Sequence, residues 1–338
     1  MSKSVYASAV PAYAGVDVGS RELVLALRIG ECAKDCGSFT NDKEGIRALA
    51  KHLRALKRPV FICMEATGTY FLRAAAMLAM VKGISVMVAN PRAIKDYARA
   101  TNHRSKTDKV DARVIALYAQ RESFIEWQPP SENLIFLRSI SRRIDERVRE
   151  KAAEKCRLHA LRAAGEYPRC VEKDILASIK GHEECVKRLR KEALEIIKAD
   201  DELRLKFGLL LSITGVGETS AVRILAELCA MPDCMSARRW TAYAGLDPVH
   251  NESGTSIRKP GRISRAGNAR LRSALFFAAM VASRHDHHTR AFYEKLLLKG
   301  KKKLQAIVAV MRKLLHAIWG MFKNSTTFDS SILFPEKL

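Results

Sequence analysis

Asp108 and Asp111 stand three residues apart in the stretch Lys106-Thr107-Asp108-Lys109-Val110-Asp111-Ala112-Arg113. Thr107 is a helix-capping type: its hydroxyl can accept a free N–H of the first turn, which puts both acids just inside a helix start. Residues three apart share a helix face, with Cβ atoms about 5–6 Å apart. Two carboxylates that close repel unless a cation lies between them, and hard oxygen donors suit Mg²⁺ or Mn²⁺. An isolated Asp-x-x-Asp is more often a solvated face paired with nearby lysines. Two further acids weigh against that here. Asp17 closes a strand-like run beginning at residue 13, and Glu65 closes the apolar run 59–64. Four carboxylates from separated segments, gathered above a sheet, can hold two divalent ions about 3.5–4 Å apart, the geometry for in-line displacement at phosphorus.

The charge balance says what carries that phosphorus. Lysine and arginine number 59 against 36 acids, a formal net charge of +23 over 338 residues. The excess is spread along the chain, which suits a polyanion, and nucleic acid is the default. Between residues 258 and 272 the chain carries Arg258, Lys259, Arg262, Arg265, Arg270 and Arg272 and no acid. A solvated face usually interleaves signs, so this run reads as phosphate contact. Arg104, Lys106, Arg258, Lys259, Arg262, Arg265 and Arg272 are the expected contacts to a DNA or RNA backbone. An anionic membrane is the rival partner, but the longest apolar run, 274–282, is too short to span a bilayer. Residues 1–12 lack an apolar segment followed by a cleavage site, so a cytoplasmic protein is expected. The 8 cysteines form no CxxC pair and meet no histidine at zinc spacing. Reduced thiols are expected, with Cys63 in the core.

The elements that must position the acids follow from periodicity. Residues 13–20, 23–29 and 37–40 read as a meander of three strands, and Asn41 or Asp42 caps a helix running to about residue 56. The runs 59–64 and 84–89 are continuously apolar, as strands buried on both faces are. Helices are expected at 71–82, at 92–100 after Asn90-Pro91, and from Asp108 to about Gln120. The order β-β-β-α-β-α-β-α is that of a ribonuclease H-like α/β fold. Asp17 then ends the first strand, Glu65 the fourth, and Asp108 and Asp111 sit on the last helix.

Pro129-Pro130 marks a boundary. Residues 134–165 and 171–198 are charged, helical in period and separated by Tyr167-Pro168, an antiparallel helical hairpin or coiled-coil arm. Such an arm serves equally as a spacer or a dimerisation element. A third, mostly α, region begins near residue 207. Gly215-Val216-Gly217 lies between two helices and fits a helix-hairpin-helix turn, whose exposed N–H groups can hold a DNA phosphate, although many tight helix turns carry two glycines. Residues 251–256 read as a polar loop containing Ser253, a usual turn former. Residues 271–283 read as a buried helix and 304–322 as the last amphipathic one. The expected organisation is a tail to 12, a catalytic domain at 13–128, an arm at 129–203, a C-terminal domain at 204–325 and a tail from 326.

Several short motifs, in order, carry a resemblance. Gly15-Val16-Asp17, Met64-Glu65-Ala66-Thr67-Gly68-Thr69-Tyr70, Asn90-Pro91 and Lys106 to Ala112 resemble the DEDD recombinases of the Piv/MooV invertase-like insertion-sequence family. So do Gly215-Val216-Gly217, Ala244-Gly245-Leu246-Asp247-Pro248, Glu252-Ser253-Gly254 and Ala266-Gly267-Asn268. The resemblance spans nearly the whole chain and is weakest in the arm. It implies a RuvC-like N-terminal domain, a coiled coil and a C-terminal transposase domain. It implies that Asp17, Glu65, Asp108 and Asp111 bind the metals, and that Ser253 attacks DNA phosphate to form a covalent phosphoserine. It further implies a structured noncoding bridge RNA that pairs with donor and target DNA. Dimers assembling into tetramers are implied too, with one subunit's acids completed by another's serine. The competing expectations are a Holliday-junction-type endonuclease that uses the same metals and water, and a non-catalytic nucleic-acid-binding protein.

Overall fold

Strand-forming runs of two kinds, half-buried and fully buried, lie in the first 90 residues, and the fold separates them. The computed structural model describes residues 10–66, 68–102, 107–229, 231, 235–253 and 257–335, and for residues 250–253 and 257–261 the backbone alone. The chain divides into two compact units, Met1–Pro129 and Pro130–Leu338.

In the first unit, β1 (Ala12–Val18), β2 (Glu22–Ile29) and β3 (Cys32–Thr40) form an antiparallel meander. After helix α1 (Lys43–Arg54) come β4 (Val60–Glu65), α2 (Phe71–Ala79), β5 (Ile84–Ala89), α3 (Pro91–Ala100) and α4 (Asp108–Arg121). The sheet order is β3-β2-β1-β4-β5, with β4 parallel to β1 and β5 parallel to β4. This is the ribonuclease H-like order. Asp42 caps α1, accepting from Gly45 N–H at 2.7 Å, and Asn90 caps α3, accepting from Arg92 N–H at 2.9 Å. β3 begins at Cys32, earlier than residue 37, because pairing with β2 continues to the turn while Lys34 and Asp35 break its apolar pattern. One sheet face buries Val16, Leu25, Ile62 and Met64 with residues of α1 and α2. The other buries Cys63, Met87, Ile94, Val114 and Ile115, drawing on α3 and α4.

In the second unit, α5 (Glu132–Ala163) and α6 (Arg169–Ala199) run antiparallel, joined by Lys151–Glu183 (3.5 Å) and by Arg162 Nε donating to Glu172 (2.8 Å). Then follow α7 (Asp201–Leu211), α8 (Glu218–Leu228), α9 (Ala237–Tyr243), β6 (Pro248–Ser253), β7 (Ile257–Ile263), α10 (Ala269–His285), α11 (His287–Leu298), α12 (Lys303–Asn324) and α13 (Ser330–Leu333). Leu134 and Leu137 of α5 and Ala193 and Ile197 of α6 enter the same core as α8, α10 and α12. α12 is long and apolar enough to cross a membrane by length and composition. Here Val310, Met311, Leu314, Leu315 and Ile318 are core side chains of this unit. The expected polar loop at 251–256 is corrected for 251–253, where β6 pairs antiparallel with β7 from Pro248–Ile263 to Ser253–Ile257; residues 254–256 lie outside the described residues. A two-stranded ribbon with few apolar residues leaves no hydrophobic alternation to read.

The tightest seam in the first unit lies between β1 and α4. A Cβ built on Gly15 would stand 2.1 Å from the Ala112 carbonyl oxygen and 2.2 Å from the Ala116 nitrogen. Ala26, cross-strand from Gly15, is buried with Ala112 and Ala116 in the same seam. Backbone thus packs on backbone, and neither neighbour is a flexible side-chain end that can yield. Gly15→Ala is therefore expected to cost about 2–3 kcal/mol through overpacking. The urea midpoint of the first unit's transition reads this, and an unchanged midpoint would show that α4 can shift freely.

Candidate active site

That seam decides where the acids go. Gly15 and Asp17 are two apart on β1, so they face the same side of the sheet, the α4 side. β1 and β4 pair in parallel with Val16 opposite Met64, so the next rung sets Asp17 beside Glu65 at the carboxyl ends of adjacent strands. On α4, Asp108, Ala112 and Ala116 recur every fourth residue, one stripe along the helix. With Ala112 and Ala116 seated over Gly15, the first turn carries Asp108 and Asp111 out over the strand ends. Thr107 caps that turn, its hydroxyl accepting from Val110 N–H at 3.3 Å. The free N–H groups and dipole of a helix start also favour anions there.

The four carboxylates share one electrostatic field. Asp17 is pushed up to about 6, first by burial and then by the charges of Asp108, Asp111 and Glu65. Among the described residues, no three side chains of metal-ligating type are already drawn to one point. The donor set is nonetheless of the right chemistry: hard oxygens whose mutual repulsion a divalent cation relieves. α4 is tied to the meander by two contacts that spacing does not reveal. Arg113 donates from Nε and Nη2 to the two oxygens of Asp35, at 2.6 and 2.5 Å. Gln120 accepts from Arg28 Nε at 2.8 Å and donates to the Gly30 carbonyl at 2.9 Å.

In the second unit, Ser253 is the last residue of β6, across from Ile257. The two motifs flanking this ribbon clamp its base. Gly245 takes a left-handed φ of +65°, and a Cβ on Gly267 would stand 2.2 Å from the Tyr243 carbonyl. Asn268 N–H donates to that carbonyl at 2.6 Å, and Ser264 donates both its N–H (2.9 Å, to the carbonyl) and its hydroxyl (2.5 Å, to the carboxylate) to Asp247. The Asn268 side chain also caps α10 and donates from Nδ2 to Glu227 at 2.7 Å. Glu227 is the buried hub of this region, its side chain 2% exposed, with Arg138 at 3.1 Å and Arg142 at 3.0 Å. Arg138 also lies 3.4 Å from the Tyr243 hydroxyl. Motif spacing does not reveal this hub. The available signal was a lone acid in the apolar run Ile224-Leu225-Ala226-Glu227-Leu228, since acids are seldom buried without cationic partners.

The other expected contacts divide. Arg104 and Lys106 lie outside the described residues, as do the side chains of Ser253, Arg258 and Lys259. Arg262 and Arg265 are exposed beside the ribbon base. Arg272 is half-buried and donates from Nη1 to the Ala244 carbonyl at 2.8 Å, which commits it first to the clamp. Gly215 has its own packing reason: at φ +93°, a Cβ would stand 2.6 Å from the Ala278 carbonyl on α10. Gly217 is exposed and forms the N-cap of α8, where no side chain caps the helix.

Comparison with known proteins places this arrangement. A family model described as "Transposase", for the DEDD transposases of IS110 elements, matches residues 14–162. A second, "Transposase IS116/IS110/IS902 family", matches residues 208–294. The pilin gene-inverting protein of Moraxella bovis is 30% identical over 324 residues, 95% of this chain and 98% of that protein. The chain belongs to the IS110/IS116 transposase family. The Moraxella lacunata pilin gene-inverting protein is likewise 30% identical over 95% of this chain and 98% of its own. The transposase for insertion sequence element IS1111A of Coxiella burnetii is 23% identical, over 74% of each chain. Among solved structures, T. thermophilus RuvC in complex with Holliday junction substrate is similar at 17% identity and a TM-score of 0.26, over 32% of this chain and 94% of that one. The first family match contains all four acids of the field, and the second contains Glu227, the clamp and Ser253.

For this transposase the Glu227 hub sets a pH limit. Its arginine and asparagine partners hold the carboxyl below the usual range despite burial. A depressed folded-state pKa gives stability that is present above the unfolded value, about 4.3, and lost as pH falls through the folded one. Glu227→Gln is expected to lower stability by about 2–3 kcal/mol at pH 7, since it leaves two half-buried arginines without their anion. It should also flatten the acid limb of unfolding free energy against pH. An acid limb identical to wild type would remove Glu227 from that role.

Proposed function

We propose that this chain is the recombinase of an insertion sequence, cutting and exchanging DNA strands through a phosphoserine at Ser253 beside a metal site formed by Asp17, Glu65, Asp108 and Asp111. What supports the reading is the shared field of those four acids, where burial first, and then the charges of Asp108, Asp111 and Glu65, push Asp17 up to about 6. Hydrolysis or strand transfer at phosphorus needs positive charge where phosphate oxygens gain negative charge, and a net-basic chain has no other reason to concentrate acids there. Divalent ions bound there, Mg²⁺ or Mn²⁺, would supply Lewis acidity and steady the attacking and leaving oxygens.

In the proposed reaction the Ser253 hydroxyl loses its proton and its Oγ bonds to phosphorus. The bond from phosphorus to one deoxyribose oxygen breaks, and that oxygen leaves as a hydroxyl. Attack by a different strand's hydroxyl reverses the step and releases the serine. One phosphoester replaces another throughout, so no ATP is needed. A serine hydroxyl is a weak nucleophile at neutral pH, which is why the acidic site must serve it. Sequence choice by a base-pairing RNA would leave the protein to hold backbones, which fits a positive charge dispersed over the chain. Assembly of several copies, with serine and acids drawn from different subunits, belongs to the same reading.

The test is a denaturing gel of the protein with its element's noncoding RNA, Mg²⁺ and labelled junction DNA. Wild type is expected to yield a protein–DNA adduct. Ser253→Ala should abolish it, and Asp108→Ala should slow it by about two to three orders of magnitude. Cleavage without an adduct, unchanged in Ser253→Ala, would identify a hydrolytic endonuclease of the Holliday-junction type. RNA binding with neither cleavage nor adduct would identify a binding protein.

A further inference from the structure

Among the described residues, Tyr70 is the one tyrosine whose ring stands mostly in solvent, 52% exposed. It lies five positions beyond Glu65, in the loop that leaves β4, and is the N-cap residue of α2. One edge of its ring leans on Gly68, which has a left-handed φ of +60°; a Cβ there would lie 3.8 Å from the ring. Asn41 fixes the backbone beneath. Its Nδ2 donates to the Tyr70 carbonyl at 3.2 Å and to the Gly19 carbonyl at 2.9 Å, and its N–H donates to the Arg21 carbonyl at 2.8 Å. A single residue thus braces the two loops that follow the strands of Asp17 and Glu65. The brace holds out a ring that returns little of the burial free energy an aromatic usually supplies.

Placement and charge select what the ring meets. Asp17 and Glu65 face the α4 side of the sheet, while α1 and α2 pack on the other side. The carboxyl edge of the sheet therefore carries acids toward one side and Tyr70, at the start of α2, toward the other. Arg21 and Arg73 are exposed on the same rim. Asp42 is held below the usual carboxylate range first by the Gly45 N–H and the Thr40 hydroxyl, and the charge of Arg73 adds to them, which sets that arginine beside the Asn41 brace. An exposed ring among cations suits a nucleic-acid strand, with phosphates on the arginines and a base on the π-face. Two copies of a chain of net charge +23 repel, whereas a polyanion gains from the same charge. A fully paired duplex offers the ring no open base face, so the base it suits is unpaired or splayed out of the stack.

We propose that Tyr70 stacks on an unpaired base next to the phosphate brought to the four acids, with Arg21 and Arg73 on the flanking phosphates. Stacking of this kind accepts any base, so the ring holds an opened strand in place without choosing its sequence. The inference rests on the proposed function in taking nucleic acid as the substrate of the acidic site. It uses neither Ser253, nor a guide RNA, nor cleavage, so failure of the phosphoserine chemistry leaves it standing.

The experiment measures binding of the full-length chain, in Ca²⁺, to three labelled duplexes of one length: fully paired, with a central unpaired base, and with an abasic residue at that point. Wild type is expected to bind the unpaired-base duplex about five- to a hundredfold more tightly than the other two. Tyr70→Phe should keep that preference. Tyr70→Ala should lose it, with the affinity for the paired duplex, the salt dependence and the melting temperature unchanged, because stacking releases no counterion and the ring packs on little. Arg73→Gln should instead weaken binding to all three and reduce the slope of log K against log salt by about 0.9, one phosphate contact. Equal wild-type binding to all three duplexes, or a preference that survives in Tyr70→Ala, would overturn the proposal. Loss of self-association in Tyr70→Ala with the preference intact would assign the ring to a contact between copies and overturn it as well. Failure of wild type to bind any of the duplexes would strike the proposed function first and this inference with it.

Discussion

The structure of the first unit depends on one close approach, a helix backbone lying directly on a strand backbone. Gly15 lacks the side chain that would hold α4 away, and Ala26, Ala112 and Ala116 complete the seam. Everything acidic follows from that distance. A helix standing an ordinary side-chain layer above the sheet would hold Asp108 and Asp111 too far out to meet Asp17 and Glu65. The seam therefore spends packing on bringing like charges together, which no fold would favour for its own stability. Arg113 and Gln120 then fix the helix against sliding along the seam, because each reaches a different point of the β2–β3 edge.

The second unit applies the same constraint with opposite sign. There the buried charge is a single carboxylate, Glu227, and cations come to it from α5 while Asn268 reaches it from the start of α10. Burial of that carboxylate is tolerable only because every approach is satisfied, and a satisfied network of this kind specifies geometry. It connects the root of the long hairpin to the clamp beneath the β6–β7 ribbon. Gly245 and Gly267 allow the two ends of the ribbon to close at hydrogen-bond distance, and Arg272 is drawn into the closure. The basic run around residue 265 is thus of two kinds: Arg262 and Arg265 reach solvent, while Arg272 braces a turn.

What could be read in the residues beforehand was whatever leaves a periodic or a capping trace. The parallel strands β4 and β5 are continuous apolar runs, Thr107 caps α4 as expected, and of the two candidates Asn41 and Asp42 it is Asp42 that caps α1. With the strand order this placed all four acids before any coordinate. Features made by pairing across long separations left no such trace. The first half of β3 is polar because it is a sheet edge, and β6–β7 is a ribbon with too few apolar residues to alternate. Arg113–Asp35 spans 78 residues and Arg138–Glu227 spans 89, and neither partner announces the other. Gly215 was legible as a turn but not as a surface pressed against α10.

An acidic centre inside a chain of net charge +23 sets a condition on any phosphate that approaches it. Left as bare carboxylates, the site repels the backbone it would act on, while basic surface elsewhere in the chain attracts that backbone at long range. Attraction and chemistry are then separate requirements. The first needs only dispersed cations such as Arg262 and Arg265, and it weakens smoothly with salt. The second needs positive charge delivered among the four acids, since burial and the neighbouring charges already push Asp17 up to about 6. A molecule arranged this way can hold nucleic acid without cutting it. In a member of a transposase family, that separation of attraction from the acidic centre is already present in the placement of charge.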